Sequence, residues 1–411
     1  MVGYIYASAD QSESTAEIVM SGHTLINELG TQLAERKPFS SPQPLMVADI
    51  DTQHIHHDRR HTTNFPNDFT ISPTHTYVQA HQTDLKRSID AHPFIPKGSQ
   101  EAFAERLDEI LNIQATGLAM RLKSAHIHKV VLGLSGGLDS TLALLVGVRA
   151  SEILGTTPSD LMHTLTMPGT ASSDRTQSNA VLLAQELGIS NEEIPIAQLS
   201  NDQLTALHHR GDEDTTYENT QARIRQALVF NKANQLNGLA MGTGDMSEIA
   251  LGWCTYNGDH MSHYNVNASI PKTLVRSLVR HAGATQPKEV QTILHDILDT
   301  PVSPELTGNG NDITQSTEDL VGPYELHDFF LYHFLRFKEP KAKIGFLALK
   351  AFEGQRSEEE IEKWLNVFFE RFYKNQWKRQ AMPDGAKVGL SLSPKGDWRM
   401  PAEAFYDPTA I

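Results

Sequence analysis

Residues 129–147, KVVLGLSGGLDSTLALLVG, place two hydroxyls, two glycines and a carboxylate where an apolar strand turns into an apolar helix. Gly136 and Gly137 let the backbone approach a ligand closely. The helix that follows offers unpaired N–H groups and a positive dipole end to an anion. Ser135 and Ser140 add hydroxyl donors for phosphate oxygens. Asp139 repels phosphate unless a cation lies between them, so its presence here implies Mg2+.

A second run repeats this logic. In MGTGDMSEIALGW, residues 241–253, Gly242 and Gly244 bracket Thr243, and Asp245 and Glu248 follow three residues apart. A helix beginning near Asp245 puts both acids on its first-turn side. Asp245 could equally cap that helix, and Glu248 could be only a favourable first-turn charge. Asp139 favours the chemical reading, because carboxylates at two strand ends of one sheet can hold Mg2+ across a polyphosphate. Arg223 and Arg225, in ENTQARIRQ, could clamp phosphate or carboxylate, or simply be solvated. Lys272, in NASIPKTLVRSLVR, could neutralise a phosphoryl oxygen or lie exposed. Cys254 reads as packing rather than as a nucleophile. Phe329, Phe330, Tyr332 and Phe334 read as core or interface side chains.

The elements that must position these groups alternate. A helix over 101–125 leads into a strand at 129–134, and 161–168 is a further strand. A helix over 173–188 stops at Gly188, a short strand covers 192–197, and a long helix over 217–238 also closes on glycine. Residues 238–245 form a strand entering a polar turn. Strands alternating with helices predict a parallel sheet covered on both faces, with the ligand crevice beyond the strands' C-terminal ends. Residues 301–323 read as loop, followed by helices over 324–337 and 358–380 and a turn-rich tail.

Ahead of this region, residues 1–58 read as strands and turns. TLINELG turns into QLAERKPF, and 44–51 resembles a buried strand ending in acids. The composition of 52–98 suits a long polar connection, whose histidines have no spacing that fixes a metal geometry. The expected organisation is therefore 1–58, a linker or arm over 59–98, and 99–411.

Composition limits the alternatives. The chain has 411 residues, one cysteine and a formal net charge of -15. That length allows two or three domains. The charge disfavours a nucleic-acid partner. One cysteine excludes a disulfide scaffold or a Cys-rich zinc site. No apolar stretch is long enough to span a membrane, and the N-terminal residues lack a hydrophobic signal core, so the expected compartment is cytoplasmic.

LGLSGGLDST at 132–141 resembles the pyrophosphate-binding loop of the N-type ATP pyrophosphatases. Together with MPGTASSDRTQSNAVLLAQELGI, NTQARIRQ, GTGDMSEIALGWCTYNGDHMSHYNVN and QSTEDLVGPYELHDFFLYHFLRF, it resembles NAD+ synthetases of the glutamine-dependent long form. PDGAKVGLSLSPKGDWRMP resembles the C-terminal stretch of that form. The likeness covers residues 100–411 most strongly. It implies an α/β fold with a Rossmann-like parallel sheet and helices on both faces, adenine nucleotide alpha hydrolase-like. Residues 1–51 resemble the last part of a nitrilase-like amidase, so a partial α+β segment is expected in front, with most of the glutaminase domain missing. The family's Glu–Lys–Cys triad would lie upstream of that segment.

The resemblance implies ATP-dependent amidation of deamido-NAD+ through an adenylate, releasing AMP and pyrophosphate, with Mg2+ bound. Ser135, Gly136, Gly137, Asp139, Ser140 and Thr243 would hold ATP and its pyrophosphate. Asp139 and Glu248 would bind the metal, and Lys272 would join them in catalysis. Asn219, Arg223, Asp245 and Asp259 would contact deamido-NAD+. Residues 202–216 and 301–322 are candidates for a closing loop. Ammonia is the expected nitrogen donor for this chain alone, with a homo-oligomer of at least two copies and a separate glutaminase subunit as expected partners. The rival readings are a non-catalytic subunit of a split glutamine-dependent enzyme and another amidating ATP pyrophosphatase.

Overall fold

The computed structural model describes residues 2–9, 19–40, 45–62, 85–169, 174–300 and 317–407. The chain divides into two compact units, one formed by residues 1–90 with 333–355, the other by 91–332 with 356–411.

In the first unit, strands β1 (Gly3–Ala7), β2 (Thr24–Glu28) and β3 (Thr31–Arg36) form an antiparallel sheet in that order. The β2–β3 hairpin is the expected turn from TLINELG into QLAERKPF. Leu29 and Gly30 both take positive φ, 48° and 87°, which matches the strands' right-handed twist. Residues 45–50 form no strand, contrary to expectation. Asp49 instead accepts from the backbone N–H groups of Lys86 and Arg87 at 2.6 and 2.7 Å. Asp51 caps α1 (Thr52–His61), accepting from His54 N at 3.0 Å. The start of the expected polar connection is thus helical, because it has a cap, one buried anchor in Ile55, and Arg59, Arg60 and His61 at its C-terminal end. The rest of the His-rich stretch, 63–84, lies outside the described residues.

The second unit opens with α2 (Gln100–Ala125), capped by Ser99. It then alternates through β4 (Val130–Gly133), α3 (Leu138–Leu154), the short α4 (Pro158–Leu161), β5 (Met162–Thr166), α5 (Asp174–Glu186) and β6 (Ser190–Glu193). Next come α6 (Ala197–Ala206), α7 (Thr215–Gln235), β7 (Leu239–Gly242), α8 (Met246–Leu251), β8 (Tyr264–Asn265), α9 (Lys272–Gly283) and α10 (Lys288–Asp299). Two boundaries differ from expectation. β6 ends before Pro195, which has no N–H for the ladder. α7 ends at Gln235, and the left-handed residue that follows its C-cap is Asn237, φ 49°, rather than the glycine after it.

All strand pairs here are parallel, in the order β6-β5-β4-β7-β8. Period-two alternation sends Val130 and Leu132 into the core with α2, α3, α5, α9 and α10, and Val131 into the opposite core with Val229 and Ala233 of α7. Helices therefore cover both faces. Because β4 comes first in sequence yet sits in the middle, the connections leave it in opposite directions. The crevice opens at the ends of β4 and β7, where the two acidic motifs begin.

Further along lie α11 (Thr317–Val321), α12 (Tyr324–Phe337), α13 (Lys341–Ala351), α14 (Glu358–Lys374) and α15 (Gln376–Arg379). The boundary between the units falls within α12, and α13 belongs to the first unit, where Lys343 Nζ meets Asp51 Oδ2 at 2.5 Å. Phe329, Phe330, Phe368 and Phe372 are fully buried in the second unit. The Phe330 and Phe368 rings lie 5.9 Å apart, so for Phe329 and Phe330 the core reading holds over the interface one.

Candidate active site

Four groups from three loops meet at the crevice. Lys272, the first residue of α9, places Nζ 2.7 Å from Asp139 Oδ2, 2.6 Å from Asp245 Oδ2 and 2.9 Å from Glu248 Oε1. Asp139 stands in the first turn of α3, and Asp245 caps α8 by accepting from Glu248 N at 2.9 Å. Capping and charge presentation are therefore not alternatives for Asp245: one carboxylate oxygen caps and the other faces the ammonium. Lys272 is buried, contrary to an exposed reading, and Asp245 is fully buried.

The electrostatics follow from three carboxylates sharing one ammonium. Burial raises Asp245 well above the ordinary carboxylate range, and Glu248 raises it further against the pull of Lys272. Burial pushes Glu248 up to about 7; Lys272 opposes this and Asp139 adds to it. Burial favours the neutral form of Lys272, but the three anions outweigh it and hold the ammonium well above the usual lysine range. The ligand atoms of Asp139, Asp245 and Glu248 lie within 4.8 Å of one another, and Asp139 Oδ1 is buried without a hydrogen-bond partner among the described residues. A hard divalent cation fits this donor set, which is all oxygen and carries excess negative charge.

The loop after β4 is organised for an anion. Gly136 takes φ 84°, open to glycine at little cost. Gly137 is the N-cap of α3 and supplies no side chain, so the first N–H groups of a seventeen-residue helix have no side-chain cap. Ser135 Oγ accepts from Gly137 N at 3.2 Å and lies 3.1 Å from Ser140 Oγ, which donates to Gly137 O. The hydroxyls are thus held at the helix mouth.

The remaining predicted residues form a second group. Asn219 Oδ1 accepts from Thr255 Oγ1 at 2.7 Å, Arg223 Nε donates to Tyr256 O at 3.2 Å, and Asp259 Oδ1 accepts from Thr255 N at 2.8 Å. Together they fix the loop after α8, with Asp259 exposed beside it. Arg225 Nε donates to Met167 O, at the end of β5. Thr243 enters through its carbonyl, which accepts from Asn267 Nδ2 at 2.9 Å. The Cys254 thiol is pushed up to about 12 by burial first and Asp259 second, so it is protonated and unreactive.

Several organising residues lay outside the sequence reading. Buried Asn267 donates both amide hydrogens, to Asp139 O and Thr243 O, and so ties the two acidic loops together. Asp328 accepts from Ser247 Oγ, and from Thr273 N and Oγ1 at 2.9 and 2.6 Å, anchoring α8 and the start of α9. Buried Arg379 donates to the carbonyls of Ile249, Ala250 and Phe372, two of them in α8. The signal for each is the same: an amide, acid or guanidinium set inside an otherwise apolar run, as in NVNASI and ELHDFF.

The model of the NAD synthase family matches residues 110–380, which include every residue of the cluster. This chain belongs to the NAD synthase family. Among curated relatives of this chain, the glutamine-dependent NAD(+) synthetase of Mycobacterium leprae is 39% identical over 98% of this chain and 65% of its own length. That of Thermotoga maritima is 31% identical over 74% of this chain and 49% of its own. A crystal structure of a glutamine-dependent NAD(+) synthetase from Cytophaga hutchinsonii shares the fold, with TM-score 0.59 at 18% identity, over 97% of this chain and 63% of that one. The chain thus spans just under two thirds of the length of the M. leprae relative. Since that likeness runs through 98% of this chain, it extends beyond residues 100–411, and the expectation of a largely missing front domain finds no support in it. Among the described residues, no helix is long and apolar enough to cross a membrane.

Proposed function

We propose that this chain catalyses ATP-dependent amidation of deamido-NAD+ to NAD+, releasing AMP and pyrophosphate, in the cytoplasm. The observation that carries the reading is the convergence of Asp139, Asp245, Glu248 and Lys272 beside an uncapped helix mouth, in a chain of the NAD synthase family. The nicotinate carboxylate is a poor acceptor for ammonia until AMP is attached to it. The first N–H groups of α3, with Ser135, Gly136, Gly137 and Ser140, cradle the pyrophosphate of ATP. Lys272 supplies a mobile positive charge for the phosphates and, without nucleotide, keeps three acids from repelling one another. Asp139 and Glu248 would hold Mg2+, which when bound would neutralise charge on the phosphates. Thr243 lines the nucleotide side. Asn219, Arg223, Asp245 and Asp259 line the dinucleotide side, and the loop after α8, fixed by Asn219, Arg223 and Asp259, shields the adenylate from water.

The nitrogen donor we assign to this chain alone is free ammonia. The test is to supply the purified chain with ATP, Mg2+ and deamido-NAD+, then either ammonium or glutamine, and to follow NAD+ and AMP together. Ammonium should give equal amounts of both, and glutamine essentially none. Turnover with glutamine would overturn the nitrogen assignment, and the absence of both products under either donor would overturn the reaction.

A further inference from the structure

Tyr324 opens α12 directly beneath this cluster. It is 3% exposed, and its ring centroid lies 5.2 Å from Lys272 Nζ. Its hydroxyl is buried and has no hydrogen-bond partner among the described residues. A buried, unpaired hydroxyl costs stability, because folding strips its water and returns nothing. Cation–π contact explains the ring, since an ammonium is attracted to an aromatic face. It does not explain the oxygen, and phenylalanine would make the same contact.

The surroundings determine what the oxygen can do. Burial first, then Glu248, with Asp245 and Asp139 adding to them against Lys272, raises the phenol well above its ordinary range. It therefore stays protonated and can donate. Its charged neighbours are Asp139, Asp245, Glu248 and Lys272, with Arg371 of α14 farther along and Glu318 taken up by the Tyr324 backbone N–H at 3.1 Å; the three acids are drawn to the lysine. The acceptor that the hydroxyl lacks is one that arrives with an anion.

We infer that Tyr324 is a further ligand-contacting residue, whose hydroxyl donates to a phosphate oxygen of the bound nucleotide at the Asp139–Asp245–Glu248–Lys272 cluster. This rests on the ATP reading above and adds to it a neutral donor on the side of the cluster formed by α12. When nucleotide draws Lys272 toward phosphate, the same movement brings an acceptor over the phenol.

The test is Tyr324→Phe, which removes one oxygen and keeps the ring. Calorimetric titration with ATP in excess Mg2+ should show about tenfold weaker binding than the wild type, or ~1.4 kcal/mol. Thermal unfolding of the unliganded variant should occur at the wild-type temperature or above it, because no bond of the free protein is lost. Equal ATP affinity in the two proteins would overturn the role of Tyr324 and leave the ATP reading standing. A variant that unfolds earlier, or does not fold, would also overturn it, since the hydroxyl would then serve the fold. Failure of the wild type itself to bind ATP would overturn both.

Discussion

At Lys272 one ammonium stands among three carboxylates, and two consequences follow at the scale of single residues. Lys272→Met should destabilise the free protein by about 3–5 kcal/mol, because it leaves buried anions without a counter-charge. Added Mg2+ should restore part of the loss, and unfolding curves with and without the ion read both effects. If Mg2+ restores nothing, the three acids are not a cation site. Glu248→Gln should lower turnover at least tenfold, or by ~1.4 kcal/mol of transition-state stabilisation, while the chain remains folded. Outside the cluster, His327 gives a pH dependence. Burial holds its pKa down to about 4, and its Nε2 lies 2.6 Å from Val321 O. The unfolded chain therefore binds a proton near pH 6.5 that the folded chain refuses. Stability should fall as pH drops from 6.5 toward 4, by roughly 3 kcal/mol at about 1.4 kcal/mol per unit. His327→Gln should flatten that slope in acid-denaturation curves. A slope that persists unchanged would place its source elsewhere.

At the scale of elements, α8 is held at both ends. Its N-terminus carries Asp245 and Glu248. Its C-terminal carbonyls accept from Arg371, Asn375 and Arg379, and the next carbonyls, of Gly252 and Cys254, accept from Lys378. Three side chains of α14, α15 and their junction thus satisfy the last carbonyls of a six-residue helix, and Lys378 satisfies those just after it. Cations at that end also suit the helix dipole. Arg379 remains charged there despite its burial, since a guanidinium does not release its proton in a protein. Arg379→Met should cost about 2–4 kcal/mol through unpaired carbonyls. In the fraction still folded, turnover should fall because Glu248 loses its support. Equal loss of stability from a core truncation such as Phe368→Leu should leave turnover per folded molecule nearly intact, and comparing the two separates position from stability.

At the scale of the whole molecule, the expectation is a homo-oligomer of at least two copies. The buried phenylalanines of α12 and α14 are not free to form it. Strand β1 offers an alternative: among the described strands it pairs with β2 alone, and Tyr4, Ile5 and Tyr6 are 53%, 65% and 41% exposed. An open apolar edge of this kind seeks cover. Light scattering across micromolar concentrations should report a dimer or larger, and Ile5→Lys should shift it toward monomer. A wild-type monomer throughout that range would remove the assembly from consideration.

What the sequence determined by itself was local. Glycines at the turns, a strand–helix alternation and acids at fixed offsets from them are encoded within about ten residues. For that reason the parallel sheet, the β4 loop and the positions of Asp139, Asp245 and Glu248 at strand ends were legible, while Lys272 read locally as either phosphate-facing or exposed. The strand expected at 44–51 failed because its acids capped α1 and bound backbone donors of Lys86 and Arg87, partners that no local pattern announces. The tertiary structure alone decided that Lys272, 133 residues from Asp139 in sequence, belongs in the same cluster. It also decided that Asn267, Asp328 and Arg379 brace it and that Tyr324 lies against its ammonium. A polar side chain in an apolar run signals only that a partner is required, and which atom is that partner depends on how the chain returns to the ends of β4 and β7.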